Sequence, residues 1–198
     1  EHLSLKDGFD DISLKVNSGD ILGVTGLLGS GRTEFAQCLF GQYPATSGKL
    51  FIEGKQVKIK SVNESIANGI GYVPEDRLTE GLFLKKSIAS NIYVSVLEKC
   101  RKALGISDKQ ALKATGDKWV KELSIKTPDP ENIITTLSGG NQQRVVLAKW
   151  LARDPKVLIL NGPTVGVDIG SKSEIHKVLK NLANKGMAVI IISDDIPE

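Results

Sequence analysis

Four short runs of apolar residues divide this sequence into alternating strand-like and helix-like segments. The runs occupy residues 21–25, 70–74, 157–160 and 188–192. Each is nearly continuous in apolar character, which is typical of strands that are buried on both faces. Helix-length stretches follow these runs, and such alternation favours a parallel sheet covered by helices. The sequence therefore predicts an α/β fold.

The N-terminal region predicts further strands of a different kind. Ile12, Leu14 and Val16 alternate with polar residues, which indicates a half-buried strand. Residues 46–59 contain two strand-like runs with Gly54 between them, so they predict a hairpin. The run at 21–25 is expected to be a more buried strand than the one around Ile12. An antiparallel β part is thus expected ahead of the main sheet.

Helical spacing of apolar residues dominates the remaining segments. A helix is predicted directly after Thr33, a short one near 61–68, one opened by residues 137–143 and one over about 170–184. Between 85 and 135 charged residues separate apolar residues at helical intervals, which predicts a helical insertion of about three segments. The apolar positions of that insertion are Ile88, Ile92, Val96, Leu112, Trp119 and Leu123.

Composition excludes several classes of protein. Hydrophobic residues make up 40% of the 198, enough for a packed core, so a disordered chain is excluded. A net charge of only +3 and an aromatic content of 5% argue against a protein that binds nucleic acid, since such proteins usually have a basic surface with aromatic residues. Cys38 and Cys100 are too few for a disulfide framework. No apolar run is long enough for a membrane span, so the expected location is cytoplasmic, with membrane contact through a partner.

A glycine-rich loop between a predicted strand and a helix is the first chemical motif. Gly26, Gly29 and Gly31 allow backbone amides to converge on an anion, and the helix N-terminus adds its dipole. The spacing differs from the P-loop pattern by Arg32 in the lysine position, and Thr33 fits a magnesium ligand. On this loop alone, a glycine-rich turn that binds no ligand remains open.

The second motif is the segment 137–143, LSGGNQQ, which lies upstream of the strand at 157–160 and the Pro-Thr pair after it. Ser138 is in an N-cap position, and glycines 139 and 140 permit close approach to an anion. In this context the sequence resembles the nucleotide-binding domains of ABC transporters, whose signature is Leu-Ser-Gly-Gly-Gln. The forms GSGRT, GYVPEDR and LSGGNQQ resemble most the second half of fused monosaccharide-importer ATPases of the ribose/galactose type.

The resemblance covers the whole chain and implies a P-loop NTPase fold of ABC type. Its expected parts are a mostly parallel core, an N-terminal antiparallel β part and a helical subdomain over about 85–135. Residues 1–198 are expected to form one nucleotide-binding domain, excised from a longer two-domain subunit. The implied cofactors are ATP and Mg²⁺.

In that family two domains face each other, and each ATP lies between the P-loop of one domain and the signature of the other. The resemblance implies a P-loop of eight residues in this chain: Gly26, Leu27, Leu28, Gly29, Ser30, Gly31, Arg32 and Thr33. It also implies a signature that acts on the ATP of the partner domain, with the residues Leu137, Ser138, Gly139, Gly140, Asn141 and Asp168.

The domain's own catalytic positions depart from the family pattern. Arg32 replaces lysine, and its planar guanidinium is expected to meet phosphate in a different geometry. Glu75 stands in place of a glutamine, and Asn161 in place of an aspartate that binds the metal. Gly162 replaces the glutamate that orients water, a role glycine cannot perform. Asp194 replaces a histidine that contacts the γ-phosphate. The own site is therefore expected to be inactive or very weak, with little use of Mg²⁺.

The signature half is intact apart from Asn141 in the glutamine position. The expected function is to complete the ATP site of the N-terminal half of the same subunit, together with membrane-spanning permease subunits and, indirectly, a periplasmic or lipoprotein sugar-binding protein. The expected location is the cytoplasmic face of the membrane. Two alternatives remain open: a non-transport ABC ATPase and a purely regulatory nucleotide-binding module.

Overall fold

A computed structural model describes residues 1–27, 29–100 and 107–194, and the chain divides into two compact units. The first unit comprises Glu1–Tyr72, Pro155–Pro163 and the described residues from Leu179 onward. The second comprises Val73–Asp154 and Thr164–Val178.

The core of the first unit is a four-stranded sheet. Its strands are β3 (Ile21–Thr25), β6 (Ile70–Val73), β7 (Val157–Asn161) and β8 (Ala188–Ser193), in the order β3-β8-β7-β6. Both pairs that involve β8 are parallel, as the apolar runs predict. The prediction that β3 is more buried than the strand around Ile12 is wrong, because β3 lies at the edge of this sheet, none of its residues is buried and Ile21 is 44% exposed.

The remaining strands in the described part of the chain form two antiparallel pairs. They are β1 (Leu3–Leu5) with β2 (Phe9–Ile12), and β4 (Leu50–Ile52) with β5 (Lys55–Val57). The predicted hairpin is confirmed, and Glu53 and Gly54 at its turn both have positive φ, as a two-residue hairpin loop requires. The predicted strand through Leu14 and Val16 is wrong. Leu3, the first residue of β1, already pairs with Ile12, so the partner strand ends there.

Among the described residues, two helices belong to the first unit alone. They are α1 (Arg32–Leu39), which begins at the end of the glycine loop, and α2 (Val62–Ala67), where Ser61 accepts a capping bond from the Glu64 amide. On α1 the residues Phe35 and Ala36 are buried, and the helix packs on β7 and β8. Cys38 is buried on the same helix, and burial raises the pKa of its thiol to about 11.

The second unit is helical. Its helices are α3 (Ile88–Tyr93), α4 (Lys109–Glu122) and α5 (Gly139–Leu151), with a π-helical turn at Arg77–Gly81 and short 3-10 turns at Val94–Val96 and Ile134–Thr136. Of the predicted apolar positions, Ile88 and Ile92 are fully buried. The π-helical turn was not predicted. Helix α6 (Ile169–Asn184) begins in this unit and ends in the first.

No helix in the described ranges combines the length and the apolar character that a membrane crossing needs.

Candidate nucleotide-binding and signature sites

The glycine loop has the backbone conformation of an anion-binding turn. Gly29 and Gly31 have φ of 79° and 86°, in the left-handed region that other residues rarely adopt. A Cβ at Gly26 would lie 2.5 Å from the Ser30 Oγ and 3.2 Å from the Ser30 Cβ, so a side chain there would have to displace the Ser30 side chain. The loop leads directly into α1, so its amides lie at a helix N-terminus, where anions are favoured.

Arg32, the first residue of α1, directs its guanidinium to groups of its own chain. It donates a hydrogen bond to the Gly26 carbonyl oxygen, and its Nη2 lies 3.0 Å from the Asp194 Oδ2. The Arg32 side chain is mostly buried, at 10% exposed, whereas that of Asp194 is 59% exposed. The ion pair therefore lies at the protein surface. The one cation of the loop is thus engaged by a carbonyl and a carboxylate of the same unit.

Thr33 and Asn161 also contact each other. The Asn161 Nδ2 donates to the Thr33 Oγ1 at 3.4 Å, so the amide meets the hydroxyl that the sequence predicts as a magnesium ligand. Gly162, at φ 53°, follows β7 and its amide donates to the Ile192 carbonyl oxygen at 2.7 Å. Within the described residues no group of three or more His, Cys, Asp and Glu could hold a metal ion. Neither Thr33 nor Asn161 offers the carboxylate by which proteins usually hold Mg²⁺.

Three further residues were predicted for the own site, namely Leu27, Leu28 and Glu75. Leu27 is 86% exposed at the loop. Leu28 lies outside the described residues. Glu75 belongs to the second unit, where it follows β6 and is exposed.

Ser138 occupies the N-cap position of α5, but its side chain accepts no bond from a helix amide. The expectation that it caps the helix is therefore wrong for the hydroxyl. Instead the Asn141 Nδ2 donates to the Ser138 Oγ at 3.0 Å, and the Asn141 Oδ1 accepts from the Lys126 amide at 2.9 Å. The Ser138 oxygen is an acceptor in this contact, so its proton is available for another acceptor. Leu137 is buried beside it.

Both signature glycines pack against other parts of the second unit. A Cβ at Gly139 would lie 2.8 Å from the Arg77 Nη2. A Cβ at Gly140 would lie 2.5 Å from the Ser171 Cβ, closer than packed carbon atoms approach. The contact with the Ser171 Cβ therefore requires glycine at position 140, whereas a side chain at position 139 would displace the end of the Arg77 side chain.

Asp168 caps α6 from the loop that precedes it. Its Oδ1 accepts from the Ser171 amide at 2.9 Å, and its Oδ2 accepts from the Ser171 hydroxyl at 2.8 Å. These bonds from Ser171 hold the pKa of the Asp168 carboxyl below its usual range. The signature and the Asp168 loop are therefore packed together through Ser171 and Gly140.

Sequence reasoning gave Arg77 no role, although it belongs to the quoted GYVPEDR motif. Its Nη1 donates to the Val165 carbonyl oxygen at 2.8 Å and its Nη2 to the Gly166 carbonyl oxygen at 3.2 Å. The position of Arg77 in this charged motif was the only hint of a role in the sequence. Its hydrogen-bond partners could not be predicted because they lie far along the chain.

Sequence reasoning also missed Arg144. It is 6% exposed, and it pairs with Glu174 and donates to the Ser124 carbonyl oxygen at 2.8 Å.

Lys149 is a buried cation on α5 that supports the turn at 77–81. Its Nζ donates to the Gly81 carbonyl oxygen at 2.5 Å, and burial lowers the pKa of its ammonium from 10.5 to about 8. Between those two pH values the unfolded chain binds more protons than the folded one, so this group makes the free energy of unfolding rise with pH. Below pH 8 the burial of the charge opposes folding in full.

We therefore expect Lys149→Met to change the pH dependence of stability. Relative to the variant, the wild-type free energy of unfolding should rise by up to about 3 kcal/mol between pH 8 and 10.5. Urea unfolding across that interval measures the difference. Lys113→Met, at a lysine whose side chain is 71% exposed, is the control and should show no such rise. A Lys149→Met curve parallel to that of the wild type would contradict the burial effect.

Solved structures with the same fold include ATP-binding cassettes. One is the dimeric post-hydrolysis state of the cassette MJ0796 bound to ADP and Pi, with a TM-score of 0.80, 22% identity and coverage of 96% of this chain and 81% of that one. Another is the ADP conformation of MJ1267, with a TM-score of 0.81, 21% identity and coverage of 98% and 79%. At these identities the likeness defines the fold, and the predicted α/β P-loop class is confirmed.

The family follows from sequence. Residues 9–165 match the family model described as ABC transporter, so this chain belongs to the ABC transporter family. That membership implies the use of ATP and Mg²⁺ in general.

Two relatives are close over the whole chain. The ribose import ATP-binding protein of Clostridium tetani is 44% identical over 197 residues. A putative ribose/galactose/methyl galactoside import ATP-binding protein of Rhizobium etli is 46% identical over 198. The match covers 100% of this chain in both cases, but 39% and 38% of the relatives. The chain thus spans about two fifths of the length of these curated relatives.

Proposed function

We propose that this chain is the second ATP-binding half of a monosaccharide importer subunit. Its own P-loop site does not hydrolyse ATP, and its signature completes the ATP site of the first half. The observation that carries this proposal is the internal pairing of the P-loop groups, in which Arg32 is engaged by Asp194 and Thr33 by Asn161.

The sugar assignment is supported by the relatives. Their names describe import of ribose, galactose or methyl galactoside, and their identities of 44% and 46% extend over the whole of this chain. Because the chain spans about two fifths of their length, we propose that residues 1–198 form one nucleotide-binding domain of a longer two-domain subunit, with the helical subdomain at about 85–135.

The charge balance at the own P-loop supports loss of hydrolysis there. Lysine in a P-loop is a compact cation that serves the phosphates, whereas the Arg32 guanidinium donates to Gly26 and pairs with Asp194. A triphosphate that enters must compete with the Asp194 carboxylate for Arg32, and the two anions repel each other. The loop amides and the helix dipole remain, and the dipole contributes about 0.3–1 kcal/mol at an exposed terminus.

Acid–base chemistry is missing from the same place. Gly162 has no side chain to orient water, and Asn161 carries no charge for a metal ion. Asn161, Gly162 and Thr33 belong to one compact unit. Of the groups that would act on water and metal there, the amide of Asn161 is neutral and Gly162 has no side chain.

The signature residues support the proposal that this chain completes the ATP site of the first half. Asn141 engages the Ser138 oxygen as an acceptor, which leaves the hydroxyl proton for an anion outside the chain. Asp168 is held by Ser171 beside Gly140. A preformed set of donors of this kind is what stabilises developing charge in phosphoryl transfer.

The proposed partners follow from the proposed role. They are the N-terminal nucleotide-binding half of the same subunit, membrane-spanning permease subunits and, indirectly, a periplasmic or lipoprotein sugar-binding protein. The proposed location is the cytoplasmic face of the cell membrane, reached through the permease.

The isolated domain tests the own site directly. We expect no measurable ATP turnover and weak ATP binding that Mg²⁺ strengthens little, measured by calorimetry with and without the metal. Asn161→Asp should make binding more dependent on Mg²⁺, because it supplies a carboxylate next to Thr33. Gln37→Glu, on α1 but outside the loop, is the control for added charge and should not do so.

Two results would contradict the proposal for the own site. One is hydrolysis that requires Mg²⁺ and is lost in Thr33→Ala. The other is wild-type ATP binding that depends as strongly on Mg²⁺ as that of Asn161→Asp.

A further inference from the structure

The Arg77 side chain joins three separate segments of the second unit. Its two terminal nitrogens donate to the carbonyl oxygens of Val165 and Gly166, at 2.8 and 3.2 Å. The Nε is buried. A Cβ at Gly139 would lie 2.8 Å from the Nη2, so the guanidinium rests directly on the first glycine of the signature. One planar group therefore contacts both the signature and the loop that leads to Asp168.

The turn that carries Arg77 is fixed at both ends. The Asp76 Oδ1 accepts from the amides of Leu78 and Thr79, at 2.8 and 3.3 Å. At the other end the Gly81 carbonyl oxygen accepts from the buried Lys149 ammonium at 2.5 Å. Because Lys149 lies on α5, the same helix that begins at the signature holds the turn from which Arg77 extends.

The loop beneath the guanidinium also has one backbone hydrogen bond of its own, from the Val167 amide to the Thr164 carbonyl oxygen at 3.2 Å. Gly166 has φ 66°, a conformation favoured by glycine, and Val165 is 45% exposed. A Cβ at Gly139 would also lie 3.2 Å from the Gly166 carbonyl oxygen, so the loop and the signature are in contact under the Arg77 fork. Removing the fork leaves two carbonyl oxygens without these donors at that contact.

We propose that Arg77 is a positioning residue that holds the loop 165–168 against Gly139, so that the signature and Asp168 face the partner domain in one fixed arrangement. This inference rests on the proposed function, since it deepens the role of the signature. A guanidinium can serve two carbonyl oxygens from one rigid plane, whereas an ammonium is a single point on a flexible stem. Arginine is therefore the residue that this position requires.

The test uses the full-length subunit, with the first half intact, and measures kcat and KM for ATP. Arg77→Ala should lower kcat about 10- to 100-fold, because displaced groups lose their effect on the transition state. Arg77→Lys should restore only a small part of the rate. KM for ATP should stay nearly constant, because the P-loop of the first half holds the nucleotide.

Three reference variants make the result specific. Arg153→Ala removes another arginine that donates to a carbonyl oxygen of the second unit, that of Ser95, and should leave kcat near the wild-type value. Ser138→Ala reports on the proposed function itself. Guanidinium ion at millimolar concentration should partly restore Arg77→Ala by occupying the vacated fork, whereas the same concentration of ammonium should not.

The outcomes separate the two proposals. If Ser138→Ala lowers kcat but Arg77→Ala does not, or if Arg153→Ala is equally damaging, the role of Arg77 is overturned and the proposed function stands. Failure of guanidinium to restore a folded Arg77→Ala also overturns it. If Ser138→Ala leaves kcat unchanged, the proposed function itself is wrong.

Discussion

Ser138→Arg in the full-length subunit is expected to lower ATP hydrolysis and sugar uptake by about 100-fold or more. One preorganised hydrogen-bond donor can stabilise a transition state by roughly 3–4 kcal/mol, which is a loss of this size. The Asn141 amide fixes the Ser138 oxygen as an acceptor, and the Lys126 amide fixes Asn141 in turn. The hydroxyl proton is thus directed away from these partners before any nucleotide arrives. Arginine at this position removes the donor and adds a long side chain at the helix start.

Arg32→Ala is the matched comparison, because it alters the other nucleotide-related site of the same domain. Its guanidinium is engaged by Gly26 and Asp194, and Gly162 in the same unit has no side chain that could orient water. We expect the turnover of the subunit to change by a factor of a few at most. If Arg32→Ala abolished hydrolysis and uptake while Ser138→Arg left both near normal, the assignment of roles would be reversed.

The sequence predicted the secondary-structure elements that depend on neighbouring residues alone. Strands β7 and β8 are continuous apolar runs, and the hairpin has Gly54 at the position that demands positive φ. The strand at Ile12 was predicted too long because its end depends on where the partner strand stops pairing. Exposure of Ile21 depends on strand order, which no local pattern contains.

The candidate sites show the same division. Each substitution at Arg32, Asn161 and Asp194 was visible in the sequence as a departure from the family pattern. That Arg32 and Asp194 form a pair was not visible, because it depends on the packing of the end of β8 beside the loop. The fork of Arg77 was missed for the same reason, since its acceptors are 88 and 89 residues away.

Gly140→Ala is expected to lower the ATPase rate of the full-length subunit by about 100-fold, through displacement of the signature helix. The new Cβ would lie 2.5 Å from the Ser171 Cβ. That atom is bonded directly to the backbone of α6, so no rotation of the Ser171 side chain relieves the clash. Helix α5 or α6 must shift, and overpacking of this kind destabilises by about 1–3 kcal/mol.

Changes at Ser171 decide whether the glycine is required by the chain or by the bound nucleotide. In Gly140→Ala/Ser171→Gly the opposing Cβ is gone, so we expect the rate to recover to within about tenfold of wild type. Ser171→Gly alone keeps the amide bond to Asp168 but loses the hydroxyl bond, and it should weaken folding by about 1–3 kcal/mol. Gly140→Ala/Ser171→Ala retains the Cβ and should recover no ATPase activity, which makes it the matched control.

ATPase assays of the four variants, with thermal unfolding to verify folding, provide the measurement. If the glycine at 140 serves only the approach of a partner nucleotide, Gly140→Ala/Ser171→Gly will be as inactive as Gly140→Ala. Contact with Ser171 would then not be the reason for glycine at this position.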